Sequence, residues 1–169
     1  MELHLPDHVE VVVVLGSKSD QAVAEKMLPV FAEFGVTASF HVCSAHRDHE
    51  RLAELVPEAE ARGAKVFIGV AGMAAHLPGV LAALTVRPVI GVPVEGKLDG
   101  MDALLAIAQM PPGIPVATVA LGGGMNAALL AMQILALGNA DLSEMLAGNR
   151  QGMRVKNRMD DIALREALE

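Results

Sequence analysis

Apolar residues in this chain gather in five short runs rich in Val and Ile, and the stretches between the runs carry apolar residues at helical spacing. The runs Glu10–Leu15, Thr37–Cys43, Lys65–Val70, Pro88–Val92 and Val116–Ala120 are predicted strands. Ser19–Phe34 sets Val23, Met27, Val30, Phe31 and Phe34 close to a helical period and meets Gly35 as a stop. Arg47–Arg62 puts Leu52, Leu55, Val56 and Ala59 on one face and ends at Gly63. His76–Leu84, Asp102–Gln109 and Met125–Leu137 complete the predicted helices. Strands alternating with helices over short links predict a parallel sheet covered on both faces. Right-handed crossovers then make the fold a three-layer α/β sandwich, flavodoxin-like and doubly wound.

Composition narrows the class without naming a function. At 169 residues the chain fits one domain with a full core. With 53% hydrophobic and 20% charged residues, disorder is not expected away from the ends. The polarity changes near Gly138-Asn139, which divides a single α/β domain, 9–138, from a C-terminal tail, 139–169. Leu142, Met145, Leu146, Met153, Val155, Ile162 and Leu164 predict amphipathic helix in the tail, weakened by Gly148 and Gly152. Its apolar face is expected on its own domain or on a neighbouring subunit. Helices rich in Ala, Gly and Met also suit an oligomer.

A net charge of −7 and a pI near 5.3 argue against nucleic acid, whose binding rests on basic contacts to phosphate. Four Phe, with no Trp or Tyr, leave almost no stacking platform for single strands. The apolar segment from Val66 to Val94 is broken by His76, Pro78, Arg87, Pro88 and Pro93, well short of the ~20 apolar residues of a membrane span. The leader, Met1 to Glu10, is acidic and bears histidine, unlike a signal peptide. Cys43 has no partner for an internal disulfide, which fits a reducing cytoplasm, and in its apolar run it reads as a small buried hydrophobe rather than a nucleophile.

Candidate chemistry sits where the first three runs end. Open α/β sheets bind ligands beyond the carboxyl ends of their strands. The first run delivers Gly16-Ser17-Lys18-Ser19-Asp20, a glycine-led turn whose backbone N–H groups and hydroxyls suit an anion. Asp20 would repel a phosphate and suits a sugar hydroxyl, or simply the helix N-cap. The second run delivers Ser44-Ala45-His46-Arg47. Imidazole moves protons near neutral pH and guanidinium clamps phosphate or carboxylate. The third delivers Ala71-Gly72-Met73-Ala74-Ala75-His76-Leu77-Pro78-Gly79, small residues around one imidazole. There His76 either meets a ligand or packs in the core against a carbonyl. His49 is expected solvated in a first helical turn, His41 structural within its strand, and His4 and His8 part of a mobile leader. No His, Cys, Asp and Glu cluster has metal-ligand spacing.

These three loops resemble the 5-(carboxyamino)imidazole ribonucleotide mutase family of purine biosynthesis, also called the catalytic subunit of phosphoribosylaminoimidazole carboxylase. Gly91-Val92-Pro93-Val94, Gln109-Met110-Pro111, Pro115-Val116-Ala117-Thr118 and Asn126-Ala127-Ala128-Leu129-Leu130-Ala131 extend the resemblance in order from about Val11 to Leu137. It implies a flavodoxin-like subunit, usually octameric, that uses no metal or organic cofactor. It implies a reaction moving a carboxylate from the exocyclic nitrogen of an imidazole ribonucleotide to a ring carbon, with carbon dioxide held between the two steps.

On the matching positions, Ser17, Asp20 and Arg47 are implied to hold the ribose phosphate portion, with Gly16, Ser19, Ser44, Ala45 and Leu77 also lining the substrate. His46 is implied to shuttle the proton, and His76 to support its loop and assist. Backbone of Ala71, Gly72 and Met73 is implied around the carboxylate or carbon dioxide. A second branch carboxylates aminoimidazole ribonucleotide directly; it typically has lysine after the histidine and lacks the Ala-Ala-His-Leu-Pro-Gly run. Arg47 and His76 therefore point to the mutase. A non-catalytic nucleotide-binding module on the same fold is the alternative from another class. The chain departs from common bacterial members at Asp48-His49, at Met73, and in the shorter loops 95–100 and 121–125.

Overall fold

A computed structural model describes residues 4–168; Met1, Glu2 and Leu3 of the leader and Glu169 of the tail lie outside the described residues. Five strands form one parallel sheet: β1 (Val11–Leu15), β2 (Ala38–Val42), β3 (Val66–Gly72), β4 (Val89–Val94) and β5 (Ala117–Thr118). Their order is β2-β1-β3-β4-β5. Val11 is the reference for the central register, opposite Ala38 on one side and Val66 on the other. Chain order reverses between β1 and β3, the switch point at which doubly wound sheets open a crevice. The predicted flavodoxin-like α/β fold is the fold observed, with helices on both faces.

The central strands β1, β3 and β4 are buried because both faces are covered, whereas the edge strands β2 and β5 are partly exposed. Every residue of β1 is buried. Val12 and Val14 join Phe67, Leu52, Leu55 and Leu81 in one cluster, while Val11 and Val13 alternate to the opposite face. The helices are α1 (Gln21–Glu25), α2 (Leu28–Phe34), α3 (His49–Ala61), α4 (Leu77–Leu84), α5 (Met101–Ala108), α6 (Gly124–Ala136) and α7 (Ala140–Leu168).

Several elements differ from their predicted form. Ser19–Phe34 is not one helix but a 3-10 turn at Lys18–Asp20 followed by α1 and α2. Pro29, in the first turn of α2, lacks an N–H and restricts the residue before it, so the chain starts a new helix there. β5 pairs over only two residues, Ala117 and Thr118. β3 and β4 run further than expected, to Gly72 and Val94, and so carry the strand edge into the third loop. The described part of the leader is tied down rather than mobile. Arg62, ion-paired to Glu58 at 2.7 Å, donates to the carbonyl of Leu5 at 2.7 Å, and Leu5 and Val9 are buried.

The chain divides between Ala131 and Met132 into two compact units. The first holds the sheet. The second contains the end of α6 and all of α7, a continuous 29-residue helix that runs through Gly148 and Gly152. Nothing stands within 4 Å of a Cβ placed on either glycine, so neither interrupts it sterically. Asn139 starts α7 by accepting the N–H groups of Asp141 and Leu142 on its side-chain oxygen. No helix among the described residues is long and apolar enough to cross a membrane.

Candidate active site

The carboxyl ends of β1 to β4 surround a cavity of about 640 Å³ at the switch point. All three predicted loops line it. Gly16, Ser17, Ser19 and Asp20 come from β1, Ser44, Ala45, His46 and Arg47 from β2, and Ala71, Gly72, Met73, His76 and Leu77 from β3. The candidate residues omit the fourth wall, where β4 contributes Val94, Glu95, Gly96 and Lys97, although loop 95–100 is one the sequence already singles out. The signal was present, since Pro88–Val92 is also a strand and its end also faces that edge. A strand closed at Val92 instead of Val94 hides it.

Each loop is shaped by its own chemistry. Gly16 donates its N–H to the Val70 carbonyl at 2.9 Å, which clips the first loop to β3. Ser17 caps the following turn by accepting the Ser19 N–H at 3.3 Å. Asp20 occupies the N-cap position of α1 but makes no side-chain cap bond. Its carboxylate, only 9% exposed, accepts the Ser19 hydroxyl at 3.0 Å. The carboxylate therefore does not serve the helix as its cap.

In the second loop Asp48, not Asp20, is the capping carboxylate: it accepts the Arg51 N–H and starts α3. Arg47 reaches across to the first loop, donating Nη2 to the Gly16 carbonyl at 2.8 Å. One guanidinium arm fixes its position and the others stay available. Cys43 lies beneath, buried, with its thiol donating to the Asp48 carbonyl at 3.3 Å. Burial pushes that thiol up, helped by Asp48 and opposed by Arg51, so it is no nucleophile for the cavity above.

The third loop turns sharply at Met73, a non-glycine residue in the left-handed region with φ 52°. Met73 is 60% exposed, and the turn aims the following residues back toward β2. His76 stands at the N-cap of α4 without capping it. Its Nδ1 is instead 2.8 Å from Nε2 of His46, with the rings nearly perpendicular at 78° and centroids 4.9 Å apart. One nitrogen donates and the other accepts, so this pair shares a proton. Neither of the two open readings of His76, ligand contact or a carbonyl partner in the core, included a partner imidazole. His41 does not reach the cavity; it bonds Ser39 at 3.1 Å on β2.

Fold and site together define a doubly wound α/β protein with a hydrogen-bonded histidine pair over a strand-end pocket. Comparison with known proteins agrees with the fold and gives the family. Residues 10–156 match the model of the AIR carboxylase family, and the chain belongs to that family. N5-carboxyaminoimidazole ribonucleotide mutase of Methanocaldococcus jannaschii is 49% identical over 93% of this chain and 98% of its own length. The protein of the same name from Pyrococcus abyssi is 52% identical over 84% and 82%. Two crystal structures of Treponema denticola PurE proteins superpose with TM-scores of 0.85 and 0.84, each 28% identical over 93% of this chain and at least 98% of theirs.

Proposed function

We propose that this chain interconverts N5-carboxyaminoimidazole ribonucleotide and 4-carboxy-5-aminoimidazole ribonucleotide in purine biosynthesis. The observation that carries the reading is the His46–His76 pair, joined at 2.8 Å over a cavity whose other walls offer an arginine, hydroxyls and small residues. Ser17, Asp20 and Arg47 take the ribose phosphate, with the Asp20 carboxylate on a sugar hydroxyl and the free arms of Arg47 on the anion. Gly16, Ser19, Ser44, Ala45 and Leu77 complete the walls, and backbone of Ala71, Gly72 and Met73 faces the carboxyl group.

The chemistry then needs few groups. The N–carboxyl bond breaks as His46 protonates the departing nitrogen, leaving carbon dioxide and aminoimidazole ribonucleotide. The ring carbon attacks the held carbon dioxide, and its proton returns to His46, so no net proton is consumed. Holding gas and ring together is a proximity task. An imidazole can both give and take the proton these two steps require. His76, hydrogen-bonded to the shuttle, orients it and takes part of the proton's load. Octameric assembly, as the resemblance implies, accords with the exposed Leu84, Val86, Met101, Leu105 and Met125 on the first unit. A cytoplasmic location accords with the pathway and the lone cysteine.

Direct carboxylation of aminoimidazole ribonucleotide is the rival chemistry, since the family's description names a carboxylase; the relatives named mutases favour the first reading. Purified protein offered the carbamate nucleotide, and separately aminoimidazole ribonucleotide with bicarbonate, decides between them. Rapid turnover is expected of the carbamate, and rapid turnover of the second pair alone would reverse the assignment. His46→Asn is expected to lose at least about 100-fold in rate while still binding nucleotide. Unchanged biological effect in that variant would instead point to a non-catalytic nucleotide-binding module.

A further inference from the structure

The cavity holds a second cation that the reaction just described does not use. Lys97 lines it from the loop after β4, while Arg47 lines it from the loop after β2. With the sheet ordered β2-β1-β3-β4, these two cations stand on opposite flanks. Adjacent strands are ~4.8 Å apart, so the ends of β2 and β4 are separated by about 14 Å, with β1 and β3 between them. A carboxylated ribonucleotide also has anions at two ends, a phosphate and a carboxylate, and only one end can meet Arg47.

Two observations place Lys97 beside the carboxylate end. Gly72 and Val94 are register partners, so the loop after β4 leaves the sheet next to the loop whose backbone faces the carboxyl group. A Cβ on Gly96 would lie 3.6 Å from the Met73 side chain, so the two loops touch. Lys97 itself takes part in none of the ion pairs or hydrogen bonds among the described residues, although Glu95 is two residues away.

The loop is also held in a costly shape. Leu98 and Asp99 both have φ 52°, and Gly100 follows at φ 78°. Two consecutive non-glycine residues in the left-handed region are uncommon, and such conformations persist where surrounding structure fixes them, often at ligand sites. Buried Gly100 allows the turn, because a side chain there would run into Leu121 and press the Val94 carbonyl at 3.3 Å. The Leu98 carbonyl then accepts the Met101 N–H at 3.0 Å and starts α5. Lys97 is therefore presented by a fixed turn rather than by a loose arm.

Resting on the nucleotide reading above, we infer that Lys97 binds the carboxylate of the carboxylated nucleotide, opposite the phosphate end at Arg47. The ammonium discriminates: it favours the nucleotide bearing the carboxyl group over the decarboxylated intermediate, and draws the released carboxyl group's negative charge toward β3 and β4 as it re-forms.

The test measures dissociation constants of two nucleotides, aminoimidazole ribonucleotide and its 4-carboxylated product, on native protein and on Lys97→Met and Lys97→Arg. The lysine is exposed. Binding of the decarboxylated nucleotide serves as the control for an intact site. Lys97→Met is expected to weaken the carboxylated nucleotide about tenfold or more and the decarboxylated one less than about twofold, with most of the loss restored by Lys97→Arg. Equal loss for both nucleotides places Lys97 on the phosphate and overturns the inference, as does no loss for either. Failure of the native protein to bind either nucleotide overturns the nucleotide reading beneath it instead.

Discussion

His46 and Arg47 are neighbours in sequence and point to different partners, one to an imidazole across the cavity and the other to the carbonyl of Gly16. Residue types at strand ends were enough to name both, because an imidazole and a guanidinium beside a switch point have few bland uses. The residues alone do not pair His46 with His76; the resemblance implies only that His76 assists. A hydrogen bond between residues 30 positions apart depends on the turn at Met73, whose left-handed backbone no side-chain pattern announces. His41 shows the opposite case, a histidine that the strand explains completely. Burial, and secondarily Arg51, lower its pKa from 6.5, so the fold favours the neutral ring. The unfolded chain therefore takes up this proton first as pH falls below about 6.5, and stability is lost in that direction. His41→Gln is expected to flatten the fall in melting temperature between pH 7 and pH 5. An unchanged slope would show that this ring does not contribute.

Among the elements, most lie where the pattern sets them, and the exceptions are the break within Ser19–Phe34 and the lengths of the later strands. α3 and α4 keep their apolar faces at helical spacing, and both lie close to where the pattern sets them. β5 lies inside the predicted run Val116–Ala120 but pairs over only Ala117 and Thr118, so its length was overestimated. The length of β4 escaped as well. Pro93 looks like a strand breaker, yet the ladder toward β3 continues through Ala71–Pro93 and Gly72–Val94. That extension carries Glu95 to Lys97 onto the cavity rim. The packing of β4 also depends on Gly91. A Cβ there would overlap Ile107 and stand 3.0 Å from Val116 and 3.3 Å from Pro78, so α5 lies directly on the backbone. Gly91→Ala is expected to destabilise the protein by about 1–3 kcal/mol through overpacking, read as a lower midpoint in urea unfolding. No change in midpoint would mean that α5 yields without cost.

For the molecule as a whole, a parallel sheet brings together four loops that sequence keeps far apart, from Gly16 to Lys97. This convergence follows from topology, since every strand points the same way and every crossover returns to the same edge. It explains why the fold class, and the three loops that carry the candidate residues, are legible in the sequence. The tail was legible as helix but not as one unbroken helix, because glycines at 148 and 152 lower helix propensity without stopping a 29-residue run.

The central claim is that one cavity breaks the N–carboxyl bond and returns the same carbon to the ring. It is tested most directly by supplying the carbamate nucleotide with a ¹³C carboxyl group in excess unlabelled bicarbonate, and reading the ring carboxylate by mass. Retention of ¹³C in the product is the expected result. A product carrying unlabelled carbon would contradict the account, since the carboxyl group would then have come from solution.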